Sequence, residues 1–195
     1  MFASHFGNLK IVKKLITAGA EIDATDKDGN TALLIAAKLG YDKVVGFLIE
    51  SNADINVQDN LGWTSLMRAV IANQPKVVSL LLQHSGCHIE SSGHSTRETA
   101  LLLATSHGLL SIVKMLINHG AKVNAQDKFK RTPLMVAAFA FYYDICVVLL
   151  DNGADLEMQD VDNKTALDWA KKTESKNSTI IELLEGKMSK LYDEF

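Results

Sequence analysis

Cysteine is scarce in this chain of 195 residues: Cys87 and Cys146 are the only two. Two thiols at unrelated places cannot build a disulfide framework, and they suit a reducing, intracellular compartment, cytoplasmic or nuclear. No charge sign dominates either. The net charge of −3 and a sequence pI near 6.1 offer no general attraction to nucleic acid or to an anionic membrane. Long apolar runs are also missing. The most apolar stretch, from Met135 to Leu150, is interrupted by Asp144 and is shorter than the roughly 20 residues a bilayer span needs. The opening MFASHFGNLK lacks the basic stretch and apolar run of a secretory signal. Catalytic motifs are absent too: there is no G-x-S-x-G, no phosphate-binding glycine loop and no H-E-x-x-H. An enzyme is not expected, and no cofactor is called for.

What the chain does have is repetition. Thr31, Thr64, Thr99, Thr132 and Thr165 open the phrases TALLIAAKLG, TSLMRAVIAN, TALLLATSHG, TPLMVAAFAF and TALDWAKKTE, at intervals of 33, 35, 33 and 33 residues. A fixed period of this length marks a solenoid of small stacked units, which bury a continuous core and present an extended surface. An apolar share of 47% with 22% charged residues fits a folded chain of this kind.

The clearest unit begins at Asp26. DKDG at 26–29 is a polar turn in which Gly29 is free to take positive φ, and Thr31 stands where a hydroxyl caps a helix. Pro133, just after Thr132, is tolerated at the first helical position. Leu33, Ala36 and Ala37 make a narrow apolar face for a short helix that ends at Gly40. A second helix follows with Val44, Val45, Phe47, Leu48 and Ile49, and ends at Asn52, which also tolerates the left-handed conformation. Ala53-Asp54-Ile55-Asn56 leads out to the next turn.

The pattern D-x-x-G-x-T-[APS]-L-x-x-A, then G, V-V-x-x-L and G-A-x-[IV]-N, resembles the ankyrin repeat over almost the whole chain. The resemblance implies an all-α solenoid of stacked helix-turn-helix units with projecting β-hairpin turns. One domain over residues 1–195 is expected, with a partial copy at 1–25, copies at 26–58, 59–93, 94–126 and 127–159, and a degenerate cap at 160–191.

Departures from the pattern are specific. The histidine that such repeats usually carry near the capping threonine is replaced by Leu34, Met67, Leu102, Met135 and Asp168. Thr165 and Asp168 instead have capping-box spacing. Arg97, Lys130 and Asn163 occupy the place of the turn glycine, and Phe141 that of the stop glycine or asparagine. The 35-residue interval adds two residues between Ser85 and Gly93, so the SGCHIESSGHSTRE segment is an altered hairpin, read equally as a binding-face insertion or a neutral one. Phe2 and Phe6 give the start no polar cap, which leaves a piece of a longer protein or a short native cap as the two readings. The polar run at 171–178 and the apolar-charged helix after it read as a closing cap.

His84, Cys87, His88 and His94 form the nearest approach to a metal cluster. Zinc wants convergent tetrahedral ligands, and a hairpin carrying a single thiol is a poor source, so no metal is expected and Cys87 reads as a packed thiol in place of alanine.

By the resemblance, a protein or peptide partner docks on a concave face formed by the hairpin tips and the exposed side of each first helix. The positions carried over are Lys38 and Leu39; Leu61, Trp63 and Ile71; Glu98 and His107; and Phe129, Arg131 and Phe139. Tryptophan and arginine are common interface anchors. Trp63 has two readings, as such an anchor or as a ring lying on the neighbouring turn. Asn56 and Asn124, each with leucine eight residues upstream (Leu48 and Leu116), resemble substrates of an asparaginyl hydroxylase. The expected function is a non-enzymatic, monomeric scaffold or adaptor module. The alternative is the substrate-recruiting ankyrin domain of a larger enzyme or a bacterial effector. Neither nucleic acid nor membrane is an expected partner, because the basic residues Lys128, Lys130 and Arg131 are only a local group.

Overall fold

The computed structural model describes residues 1–172 and 178–193, with side chains up to residue 189. Twelve α-helices are found among them. They are α1 (Phe2–His5), α2 (Leu9–Thr17), α3 (Ala32–Leu39), α4 (Asp42–Glu50), α5 (Ser65–Ile71), α6 (Pro75–Leu82), α7 (Ala100–Ser106), α8 (Leu110–Asn118), α9 (Pro133–Phe139), α10 (Tyr143–Asp151), α11 (Ala166–Lys171) and α12 (Ser178–Asp193). From α1 to α12 a short helix alternates with a second one, as the period requires. The backbone forms two compact units, Met1–Ala100 and Leu101–Phe195.

The threonine phrase works as a helix start. Thr31 Oγ1 accepts the Leu34 amide at 3.2 Å, and Thr64, Thr132 and Thr165 accept those of Met67, Met135 and Asp168 in the same way. At α11 the box closes, since Asp168 Oδ2 takes the Thr165 amide at 2.9 Å and its hydroxyl at 2.8 Å. At α9 Met135 Sδ occupies the reciprocal place, 3.4 Å from the Thr132 amide.

In the first unit α1, α3 and α5 stack as one row and α2, α4 and α6 as a second. Ala36, Ala37 and Ala69 are wholly buried in the first row, where their small side chains let backbones approach. Val44, Val45, Leu48, Val77, Val78 and Leu81 fill the space behind them. In the second unit α9 packs on α11, while α10 lies against α8, α9 and α12. Leu134, Ala137, Ala138, Cys146, Leu149 and Leu184 are its core.

The turns carry the left-handed conformations that the residue pattern anticipates. Gly29 and Gly62 have φ of 80° and 81°, and Arg97, Lys130 and Asn163 hold the same position at 57°, 58° and 57°. Glycine at position 29 has a second cause, because a Cβ there would lie 2.9 Å from the Asn60 backbone nitrogen. Phe141 takes φ of 64° where Gly40 has 77°. The projecting segments close by paired amide bonds rather than long ladders: the Asp26 amide donates to the Asn30 carbonyl at 3.0 Å, and the Gly29 amide to the Asp26 carbonyl at 3.0 Å. Among the described residues the one isolated β-bridge, Ser92 with Thr99, lies in the lengthened hairpin. Of the polar run at 171–178, residues 173–177 lie outside the described residues.

Candidate protein-binding face

Four of the five turns are built on an aspartate five residues before the threonine, and its carboxylate is used in a regular way. Oδ1 of Asp59 accepts the amides of Leu61 and Trp63 at 2.9 and 3.1 Å. Asp26, Asp127 and Asp160 accept the equivalent amides, of Asp28 and Asn30, of Phe129 and Arg131, and of Asp162 and Lys164. The second oxygen finds a different partner in each copy. Asn30 Nδ2 reaches Asp26 at 3.1 Å, Arg68 Nε reaches Asp59 at 2.7 Å, Arg131 Nε reaches Asp127 at 2.7 Å, and Trp169 Nε1 reaches Asp160 at 2.9 Å. The fourth copy has His94 in place of the aspartate, exposed and packed against Gly62.

These bonds counter the cost of burying a carboxylate. Burial works against the charge of Asp160, but the amides of Lys164 and Asp162 and the Trp169 indole hold its carboxyl below the ordinary value. The Asn30 amide and side chain do the same for Asp26, and the Thr165 amide and hydroxyl for Asp168.

On this framework the carried-over positions can be located one by one. Lys38 and Leu39 end α3 on the surface and line a groove of about 210 Å³ with His5, Asp26 and Asn30. Leu61 stands at its turn 54% exposed. Trp63 is half-buried: the Arg68 guanidinium lies 4.6 Å from its ring centroid, and its Nε1 is 2.9 Å from where a Gly93 Cβ would stand. The indole therefore lies on the neighbouring turn, as the second reading of this residue has it. Ile71 is half-buried at the end of α5, and Glu98 is half-buried in the lengthened hairpin, where its carbonyl accepts the Gly93 amide at 3.2 Å. His107 follows α7 and turns Nδ1 to the Leu103 carbonyl at 2.9 Å and to Ser106 Oγ at 3.1 Å.

Phe129 is 45% exposed, with Lys128 Nζ and the Arg131 guanidinium 5.1 and 5.0 Å from its ring centroid. Phe139, 43% exposed at the end of α9, meets Trp169 edge to face at 5.1 Å. Trp169 is a member of this surface that the carried-over positions omit. The signal was its place nine residues after Asp160, where Arg68 stands after Asp59.

Asn56 and Asn124 bridge successive turns. Asn56 Nδ2 donates to the Gly86 carbonyl at 2.8 Å while its Oδ1 accepts the His88 amide at 2.9 Å. Asn124 makes the same pair with Gly153 at 3.1 Å and Asp155 at 2.9 Å. Among the described residues no group of three or more His, Cys, Asp or Glu is placed to hold a metal ion. His84 Nδ1 accepts the Gly86 amide at 3.2 Å, and Cys87 is half-buried, its thiol pushed up to about 11 by burial. No described helix is long and apolar enough to cross a membrane.

The sequence pattern of ankyrin repeats, in a three-copy form, matches residues 1–93 and again residues 90–160. The chain belongs to the ankyrin-repeat family. The crystal structure of the ankyrin repeat domain of Bcl-3, an IkappaB-family protein, superposes with a TM-score of 0.85 at 28% identity, covering 94% of this chain and 79% of that one. Among curated proteins, the rice potassium channel KOR2 is 43% identical over 184 residues, 94% of this chain and 25% of the channel. The Arabidopsis potassium channel SKOR is 42% identical over 184 residues, 94% of this chain and 21% of the channel. This ankyrin-repeat chain thus spans about a quarter or less of the length of those relatives. Ankyrin repeats as a family are protein-interaction modules, typically without catalysis of their own.

Proposed function

We propose that this ankyrin-repeat chain binds a protein partner, a peptide or a domain, through the turn tips and the exposed ends of its first helices, without catalysing a reaction. The supporting observation is the recurrence of exposed apolar side chains at the turn tips and first-helix ends. Leu61 in the first unit and Phe129 in the second each stand two residues after the turn aspartate, Val161 stands one after Asp160, and Leu39 and Phe139 end α3 and α9. Regularly placed apolar groups on a polar scaffold suit an interface better than solvent does. Leu61 and Phe129 are the anchors in this reading, and Lys38, Leu39, Ile71, Glu98, His107, Arg131 and Phe139 surround them within their own units. Trp63 supports the turn from which Leu61 projects. The module acts as a monomer inside the cell, where Cys87 and Cys146 remain free thiols.

The test is affinity capture from the source cell with the intact chain and with a Leu61→Ser, Phe129→Ser double variant, followed by mass spectrometry. A partner retained by the first and lost by the second supports the assignment; identical retention overturns it.

A second reading is favoured by the relatives. A match over 94% of this chain to a quarter or less of two channel sequences suits an ankyrin domain that works as the recruiting part of a longer polypeptide. Transcript sequencing across both ends of the coding region, with immunoblotting of the native product, distinguishes a free-standing module from a domain.

A further inference from the structure

The turn tips and α11 of the second unit carry a charge pattern unlike the chain as a whole. Lys164, Lys171 and Lys172 line a groove of about 410 Å³ together with Asp162, Asp168 and Trp169. Lys171 is paired with Glu185 at 2.8 Å, and Asp168 is occupied by the Thr165 amide and hydroxyl. Lys164 and Lys172 form no ion pair among the described residues, and neither do Lys128 and Lys130 on the preceding tip. Asp162 and Asp168 are the carboxylates that line the groove with Lys164, Lys171 and Lys172, and Lys128 and Lys130 on the preceding tip add two further cations. A chain of net charge −3 therefore has a locally positive face here.

The same face is aromatic. Lys172 Nζ lies 4.8 Å from the centre of the Trp169 ring, whose edge contact is Phe139. The Val161 amide donates to the Phe129 carbonyl at 3.0 Å, so the two tips run side by side, with Val161 52% exposed. The indole is not free to move away, because its Nε1 is held by the buried Asp160. A fixed aromatic wall beside unpaired ammonium groups is a receptor for a side chain that is apolar next to one that is anionic.

We propose that this groove binds an acidic peptide segment of a partner protein, with an aliphatic or aromatic side chain against Trp169 and Phe139 and carboxylates between Lys164 and Lys172. The inference rests on the protein-binding reading above and specifies its partner. The first unit lacks the pattern: Arg68 is bound to Asp59, and Asp28 stands beside Lys27 at the tip. Single-stranded nucleic acid fits less well, because Phe139 and Trp169 meet edge to face and offer no pair of parallel ring faces for successive bases.

The experiment is a peptide array of Asp- and Glu-rich segments carrying one Leu, Phe or Trp, beside Lys-rich counterparts, probed with the full chain and followed by fluorescence-polarisation titration of the best binder. Lys164→Glu with Lys172→Glu changes two exposed side chains, and circular dichroism reports whether the helices persist. Affinity is expected to fall about ten-fold in that variant and in Phe139→Ser, and to fall with added salt. Retention of Lys-rich in place of acidic segments overturns the proposal, as does displacement of the peptide by oligothymidylate. Acidic peptides whose binding ignores the charge reversal but is lost in Leu61→Ser overturn it too, while leaving the protein-binding reading intact. Absence of any bound segment, together with equal partner capture by the Leu61→Ser, Phe129→Ser variant, removes both.

Discussion

Trp169 Nε1 and Arg68 Nε do the same work in two copies of the repeat: each reaches, at 2.9 and 2.7 Å, the outer carboxylate oxygen of the aspartate nine residues before it. Asp160 and Asp59 are both buried, so each of these donors offsets a desolvation cost that the turn amides cover only in part. Trp169→Phe keeps the ring and removes the donor. The expected loss is about 1–3 kcal/mol in urea unfolding, the usual cost of orphaning one buried polar group. An unchanged midpoint means that solvent replaces the indole.

Acid should find three of the turn and cap carboxylates. Asp26, Asp160 and Asp168 sit below the ordinary value of 3.8 in the folded chain. A group with a lowered folded value binds its proton more readily when unfolded, so it stabilises the fold above the unfolded value and that contribution disappears as pH falls through the folded one. Urea midpoints are expected to be level from about pH 7 to pH 5 and to drop below about pH 4, more shallowly in Asp168→Asn. A midpoint flat down to about pH 2 contradicts the assignment.

Arg97, Lys130 and Asn163 occupy left-handed backbone where two other copies have glycine. That conformation costs a side-chain-bearing residue about 1–2 kcal/mol, while glycine loses about 0.4–1 kcal/mol more entropy on folding. Lys130→Gly is therefore expected to gain about 0.5 kcal/mol, read as a higher thermal midpoint. Gly29→Ala should go the other way, losing more than about 1 kcal/mol, because it adds the left-handed penalty to a clash with the Asn60 backbone.

The helices were open to reading because their boundaries rest on local chemistry. Thr31, Thr64, Thr132 and Thr165 cap the next turn, and Gly40, Asn52 and Phe141 take positive φ at the stops, all within a few residues of sequence. Even the strained substitutions could be placed, since Arg97 and Lys130 inherit a position and not a preference. Side-chain partners across the repeat were harder. Trp63 occupies a position equivalent to Arg131 and Lys164 yet rests on Gly93, a residue of the lengthened hairpin that no periodic pattern could align with it. Trp169 was hidden for a related reason: the partner of each aspartate comes from four residues ahead in two copies and nine in the others. The family pattern specifies that the carboxylate needs a donor and leaves open which residue supplies it.

Asn56 and Asn124 tie adjacent turns with two hydrogen bonds each, so a hydroxylase acting on either must first open the hairpin. Asn124→Ala removes both bonds and leaves the Asp155 amide and Gly153 carbonyl, on an exposed turn, to water. About 1–2 kcal/mol should be lost, and amide exchange at Asp155 should quicken. Unaltered exchange there means that the bridge does not hold the turn.

Neither thiol is poised for chemistry. Burial pushes Cys146 up to about 12 and Cys87 to about 11. At neutral pH a thiol with the Cys87 value is roughly one part in ten thousand thiolate, against a few parts in a hundred for a free cysteine. Iodoacetamide should therefore label the folded chain at least about a hundred-fold more slowly than it labels the urea-unfolded chain, with Cys87 reacting before the more deeply buried Cys146. Mass spectrometry of quenched time points gives both rates. Rapid labelling of Cys87 in the folded chain would reveal an opening of the lengthened hairpin, and with it the loss of the Asn56 bridge to Gly86 and His88 that closes over this segment.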